Sequence, residues 1–267
     1  MNNLNSRQEQ IVQYLVETHF AKVESLVEVF GVSNETIRRD LKKLEQESFI
    51  IRTHGGAQYD NLRAREKQYE IRAQRNFAEK KSIARLAASY VKDGDSIVLN
   101  TGTSTLLLAK ELGNRNNLIV ITNSLDAANI LVENESNEVC LVGGFLRKSG
   151  RGLSGDISCE VLSKFQADKV FLSIGGIAEK CGVTEYHVSE SAVMRKMIEI
   201  SNKVMVLSDY SKFNEIALNR VCAYKDIDYL FTDWNTPMKE IVACKNAQIK
   251  VLVAQREEAW NLCGKPQ

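Results

Sequence analysis

The chain has 267 residues and a mass of 30.0 kDa, with 35 Lys and Arg against 34 Asp and Glu, a formal charge of +1. That length suggests two domains, and 44% hydrophobic with 26% charged residues excludes a disordered or collagen-like chain. No apolar run approaches the roughly 18–20 residues of a membrane span, and the opening MNNLNSRQEQ lacks a signal-peptide core, so the expected compartment is the cytoplasm, with no membrane partner.

Six cysteines, at 140, 159, 181, 222, 244 and 263, include no C-x-x-C pair, and the three histidines His19, His54 and His187 are scattered. Reduced thiols and no metal site are expected. Charge is unevenly spread. Residues 1–60 hold 7 basic and 9 acidic side chains, residues 61–81 hold 7 and 3, and residues 82–267 hold 21 and 22. Bulk charge gives no case for nucleic acid; only local arrangement can make one.

The first 60 residues predict three short helices and a hairpin. Arg7 to Phe20 carries Ile11, Val12, Leu15 and Val16 at helical spacing, and Val23 to Phe30 repeats the pattern with Leu26, Val27 and Phe30 before Gly31 stops it. Ser33 is a suitable N-cap for a third helix from Asn34 to about Gln46, whose Ile37, Leu41 and Leu44 share one face. Phe49 to Arg52 reads as a strand and His54-Gly55-Gly56-Ala57 as a hairpin tip.

Residues 61–92 predict a connecting helical segment that ends on Ile83, Leu86, Ala87 and Tyr90. From 93 to 258 strand-like runs alternate with helix-like ones. The strand candidates are Ser96–Asn100, Leu118–Thr122, Glu138–Val142, Lys169–Ser173, Lys203–Ser208, Tyr229–Thr232 and Lys250–Val253. This alternation predicts an α/β domain with a largely parallel sheet, followed by a tail over 259–267.

A helix, a turn containing Gly and a second helix describe a helix-turn-helix. With Ile37 at zero on the wheel, Arg38 lies at about 100°, Lys42 at about 140°, Arg39 at about 200° and Lys43 at about 240°. Four cations therefore occupy the face opposite Ile37, Leu41 and Leu44. The string Ser33-Asn34-Glu35-Thr36-Ile37-Arg38-Arg39-Asp40-Leu41, with Arg7, Ile11 and Leu15 upstream, resembles the helix-turn-helix signature of the DeoR family of bacterial transcriptional regulators. Arg52-Thr53-His54-Gly55-Gly56-Ala57 resembles that family's wing.

The resemblance implies a winged helix-turn-helix over 1–60 that binds double-stranded operator DNA. Ser33, Asn34, Thr36 and Arg38 then sit at the groove-entering end of the recognition helix. Base reading falls to Arg38 or Arg39, and Lys42, Lys43 and Arg52 are assigned to phosphates. Asp40 cannot usefully face DNA and is expected to brace an arginine or cap a neighbouring element. Ser48 stands where the family usually has Gly, which leaves the wing's angle less determined than its existence. For His54, a structural role at the hairpin is expected ahead of a direct contact.

In the α/β region, strand 96–100 runs into Thr101-Gly102-Thr103-Ser104-Thr105 before a helix opens. Such a turn at a helix N-terminus suits phosphate or carboxylate, although Thr and Ser equally serve as simple caps there. The next strand ends similarly, at Thr122-Asn123-Ser124. Gly150-Arg151-Gly152-Leu153-Ser154-Gly155 satisfies G-x-G-x-x-G, but five residues separate it from the preceding strand end, so it is not read as a dinucleotide site.

Together with Asp168 to Ile177, and Asp209-Tyr210-Ser211-Lys212-Phe213, these segments resemble the DeoR-type sensor domain, similar in fold to sugar-phosphate isomerases and coenzyme A transferases. The resemblance implies a phosphorylated sugar as effector, no resident cofactor, and an assembly of two or four copies. Gly102, Thr103, Ser104, Thr105, Asn123 and Lys212 would line the effector pocket, with Arg151 and also Arg147 as additions. The rival reading is a surviving sugar-phosphate isomerase with an accessory DNA-binding domain. Ser173-Ile174-Gly175-Gly176-Ile177, where the isomerases carry acidic residues, holds no carboxylate, so no catalytic residue is expected. A third reading, in which the amino-terminal module docks another protein, has no residue in its favour.

Overall fold

The computed structural model describes residues 4–18, 20–46, 49–53, 55–59, 69 and 72–256. Ser48, His54, residues 61–68, 70 and 71 of the expected connector, and the tail at 259–267 lie outside the described residues. The chain divides into two compact units, Met1–Arg72 and Ala73–Gln267.

In the first unit, helices α1 (Ser6–Thr18), α2 (Val23–Phe30) and α3 (Asn34–Gln46) enclose a core of Ile11, Leu15, Leu26, Ile37, Leu41 and Leu44. Gly31 ends α2 in the left-handed region, at φ 63°, with its N–H on the Val27 carbonyl. Ser33 caps α3 as expected, its Oγ accepting from Thr36 N at 3.2 Å. The first helix ends at Thr18, short of the expected Phe20, because Phe20–Lys22 form a strand, β1. It pairs antiparallel with β3 (Gly56–Tyr59), which pairs in turn with β2 (Ile50–Thr53). This pairing explains Gly56: a Cβ there would lie 2.5 Å from the Ala21 carbonyl oxygen.

In the second unit, seven strands form one sheet in which every neighbouring pair is parallel. They are β4 (Ser96–Leu99), β5 (Ile119–Thr122), β6 (Glu138–Leu141), β9 (Ala167–Ser173), β12 (Ser201–Leu207), β14 (Tyr229–Asp233) and β15 (Lys250–Ala254). All seven coincide with expected strands, and their order across the sheet is β15-β14-β12-β9-β4-β5-β6. The winding direction reverses between β4 and β9. In doubly wound sheets ligands gather outside the carboxyl ends of the strands at such a reversal.

Side chains alternate across the sheet. Ile97, Leu99 and Phe171 pack on one face with helices Phe77–Ala88, Thr103–Glu111 and Leu125–Leu131. Val98, Val170 and Leu172 pack on the other with helices Asp156–Leu162 and Val188–Glu199. The helix Phe77–Ala88, expected as the end of a connector, buries Ile83, Ala84 and Ala87 fully in this core. Two smaller pieces complete the unit. One is a hairpin of β7 (Phe145–Leu146) and β8 (Leu153–Ser154). The other is an antiparallel sheet of β10 (Gly176–Ala178), β11 (Gly182–Glu185) and β13 (Asn219–Cys222). No helix among the described residues is long and apolar enough to cross a membrane.

Candidate functional site

The exposed face of α3 is built by its buried one. Because Ile37, Leu41 and Leu44 turn inward, Ser33, Asn34, Arg38, Arg39 and Lys42 stand exposed, while Thr36 and Lys43 are half-buried. Asn34 Oδ1 accepts from Arg38 Nε at 2.6 Å, which holds the guanidinium along the start of the helix. Ser33 Oγ and Thr36 Oγ1 lie 2.9 Å apart, so both serve the cap as well as the surface. Arg52, on β2, is exposed but tied to α3: its N–H donates to Glu45 Oε1 at 3.1 Å, and its guanidinium lies 3.8 Å from Glu45 Oε2.

Asp40 takes the bracing role. It is 4% exposed, and its two oxygens accept from Arg7 Nε and Gln8 Nε2, both at 2.7 Å. A carboxylate taken out of water needs such hydrogen-bond donors, at least one of them charged. This one fixes the rotation of α3 against α1, and therefore which residues α3 presents outward.

The strand-end turn after β4 is assembled by side chains that mostly serve the backbone. Asn100 Nδ2 donates to the Ser173 carbonyl and Asn100 Oδ1 accepts from Ser173 N, both at 2.8 Å, clamping β4 to β9 at the winding reversal. Asn123 Oδ1 accepts from Thr101 N at 2.8 Å, and its Nδ2 donates to the Leu153 carbonyl at 2.8 Å. Thr105 Oγ1 donates back to the Asn100 carbonyl at 2.7 Å. A Cβ on Gly102 would lie 2.2 Å from Ser173 Cβ, and one on Gly152 would lie 2.5 Å from Thr101 Oγ1. Both glycines are thus required by close approach, and the G-x-G-x-x-G string is spent on a hairpin covering Thr101.

Gly102, the N-cap of helix Thr103–Glu111, supplies no side-chain cap. The helix's first turn, in which Ser104 and Thr105 are buried, begins at the carboxyl ends of β4 and β9, and a helix N-terminus has the polarity that favours an anion. Among the expected effector residues, Gly102, Thr103, Ser104 and Thr105 make this turn, and Asn123 supports it from β5. Arg151 and Lys212 stand on opposite sides of the reversal. Arg151 is exposed, in the left-handed region at φ 46°, with Nη1 3.2 Å from Asp126 Oδ1. Lys212 ends the turn Tyr210–Lys212 that follows β12. With strands about 4.8 Å apart, β12 lies about 10 Å from β4. Arg147 pairs with Glu190 at 2.5 Å.

Sequence reasoning did not single out Asn100 or Ser173. An amide directly between a buried strand and a Thr-Gly turn was the available signal for the first; the second needed the strand order. A separate groove of about 510 Å³ lies at the amino ends of the strands, lined by Lys92, Asp95, Asp168, Lys169, Lys203 and Tyr229 among others. Several of its charged groups already have partners: Lys169 pairs with Asp95, Lys203 with Asp228, and Asp168 accepts from Ser96.

Residues 7–63 match the DeoR-like helix-turn-helix domain, and residues 75–234 match the DeoR C terminal sensor domain. The chain is 37% identical over 223 residues to the HTH-type transcriptional repressor GlcR of Bacillus subtilis, covering 84% of this chain and 86% of that protein. It is 32% identical over 232 residues to the glycerol-3-phosphate regulon repressor of Escherichia coli, covering 87% and 92%. Among solved structures, ribose 5-phosphate isomerase A of Methanocaldococcus jannaschii superposes with a TM-score of 0.39 at 22% identity, over 52% of this chain and 55% of that one. A superposition at that level bears on neither chemistry nor ligand. Two matched domains in this order, and relatives aligned over most of their own length, place the chain in the DeoR family.

Proposed function

We propose that the protein is a sequence-specific DNA-binding repressor of a sugar or carbohydrate catabolic operon, acting in the cytoplasm, with its operator affinity modulated by a phosphorylated sugar. The observation that carries the DNA arm is the exposed cationic face of α3, held in orientation by Asp40. Arg38 or Arg39 reads base edges, and Lys42, Lys43 and Arg52 neutralise phosphates. The effector arm rests on the uncapped turn Gly102–Thr105 at the winding reversal, flanked by Lys212 and Arg151. An assembly of two or four copies sets the spacing of recognition helices, roughly 34 Å for half-sites one turn apart. The isomerase reading has less support, because Ser173 to Ile177 offers no carboxylate as a base.

Selection of genomic DNA fragments by the purified protein at near-physiological salt tests this function. A few enriched loci that share a repeated half-site, beside genes of sugar metabolism, are expected. Weak enrichment spread across the genome and erased by salt would mean phosphate attraction without reading, and would overturn it.

A further inference from the structure

The turn that carries Lys212 is anchored at its base by a buried charge cluster that the effector reading does not use. Asp209, at the carboxyl end of β12, is 2% exposed. Its Oδ1 accepts from Ser211 N at 3.0 Å, from Ser211 Oγ at 2.5 Å and from Asn76 Nδ2 at 2.8 Å. Its Oδ2 lies 3.9 Å from Lys80 Nζ, and Lys80 is 3% exposed. Lys80 Nζ in turn donates to the Arg75 carbonyl at 2.8 Å. Beside them, Tyr210 N donates to Asp233 Oδ2 at 2.7 Å, which fixes the other side of the turn.

Arg75 and Asn76 are among the first residues of the second unit, which begins at Ala73. Asn76 occupies the left-handed region at φ 54° immediately before helix Phe77–Ala88. A non-glycine residue there carries strain that its surroundings must offset, and its bond to Asp209 is a visible offset. A buried ammonium–carboxylate pair is poor at adding net stability, since desolvation consumes most of the attraction. What this one does is mechanical. One carboxylate simultaneously shapes the Lys212 turn, through Ser211, and holds the entry of the chain into the α/β unit, through Asn76 and Lys80.

Resting on the effector reading above, we propose that Asp209, Asn76 and Lys80 are positioning residues that transmit effector occupancy at the Lys212 turn to the segment entering from the DNA-binding unit. An anion drawn onto Lys212 pulls on the turn whose base is Asp209. Any displacement of that carboxylate alters its hold on Asn76 and, through Lys80, on the Arg75 carbonyl. Tyr210 reinforces the link, its hydroxyl donating to Asn76 Oδ1 at 3.4 Å. None of these three residues need touch the effector or DNA.

The test uses the full chain, an operator fragment recovered by genomic selection, and a panel of glycerol 3-phosphate, ribose 5-phosphate, glucose 6-phosphate and fructose 6-phosphate. Asn76→Gly removes the amide but accommodates φ 54° without strain, so folding is expected to survive. Lys80→Met, close in length and uncharged, is the second variant. For each, the shift in melting temperature by the panel reports effector binding, and operator Kd with and without the stabilising compound reports the response. Coupling of the usual size changes Kd roughly 5- to 150-fold in the wild type. In the variants the compound should still bind within about threefold of wild type, while its effect on operator Kd should fall below about twofold. A variant that keeps both binding and the full operator response overturns the transmission role and leaves the effector site standing. If no compound in the panel stabilises the wild type or changes its operator Kd, the effector reading falls, and this one with it.

Discussion

The exposed face of α3 and the strand-end turn at Gly102 use the same kinds of side chain in opposite ways. On α3, one buried stripe and one buried brace, Asp40, turn a face of polar and cationic side chains outward. At the turn, the hydroxyl of Thr105 and both ends of Asn100 and Asn123 are committed to backbone groups. Under the proposed effector reading, what the turn offers a ligand is therefore backbone amides and flanking cations. A binding surface on a helix is spelled out by side chains, whereas one at the end of parallel strands is largely spelled out by geometry.

The largest expected effect breaks the geometric side of that contrast. Gly102→Val drives a branched side chain into Ser173 and should weaken sugar-phosphate binding by about 100-fold or more, with about 1–3 kcal/mol of overpacking cost. Calorimetric titration and thermal melting read the two, and operator affinity without effector should be unchanged. Unaltered sugar-phosphate binding would remove the turn from the site.

The brace comes next. Asp40→Ala leaves Arg7 and Gln8 without their shared acceptor and should cost the DNA-binding unit about 2–3 kcal/mol in urea unfolding. The α/β unit's own transition should stay in place.

A pH effect of comparable size belongs to the α/β unit alone. Burial pushes the Asp233 carboxyl up to about 6; the N–H groups of Asn235 and Tyr210 oppose the rise, and the charges of Asp209 and Glu79 add to it. Between about pH 4 and pH 6 the folded state keeps a proton that the unfolded chain has released. Stability from this group therefore falls as pH rises through that window, by on the order of 2 kcal/mol. Urea melts across pH 4 to 7 should show this slope in the wild type and lose it in Asp233→Asn.

The smallest effects sharpen the DNA side. Arg38→Ala should cost about 1–3 kcal/mol on the preferred operator and relax one base position, while Lys42→Ala weakens all sequences alike and lowers the salt slope by about one. Equal losses on specific and random DNA for both variants would deny Arg38 a reading role.

Legibility followed the same division. The helices of the first unit and the seven parallel strands were readable because one apolar stripe or run defines each. The sequence extends α1 to Phe20 and gives no sign of strand Phe20–Lys22, because its partner, β3, lies more than thirty residues on and pairing leaves no local mark. Strands 176–178, 182–185 and 219–222 were missed for the same reason, being short and held by tertiary pairing. Helix Phe77–Ala88 reads as a connector when it follows a long polar stretch; its Ile83, Ala84 and Ala87 needed the sheet to show what they cover. The strand-end turns at Gly102 and Lys212 are legible as turns, but the clamps Asn100 and Asp209 act across strand order, which no single segment contains.

The most direct test is the operator affinity of Lys212→Ala and of wild type, each measured with and without the sugar phosphate that stabilises the wild type. The division of labour predicts equal affinities without the compound and a response in the wild type alone. A Lys212→Ala protein that keeps the full response, or loses operator affinity before any compound is added, would contradict it.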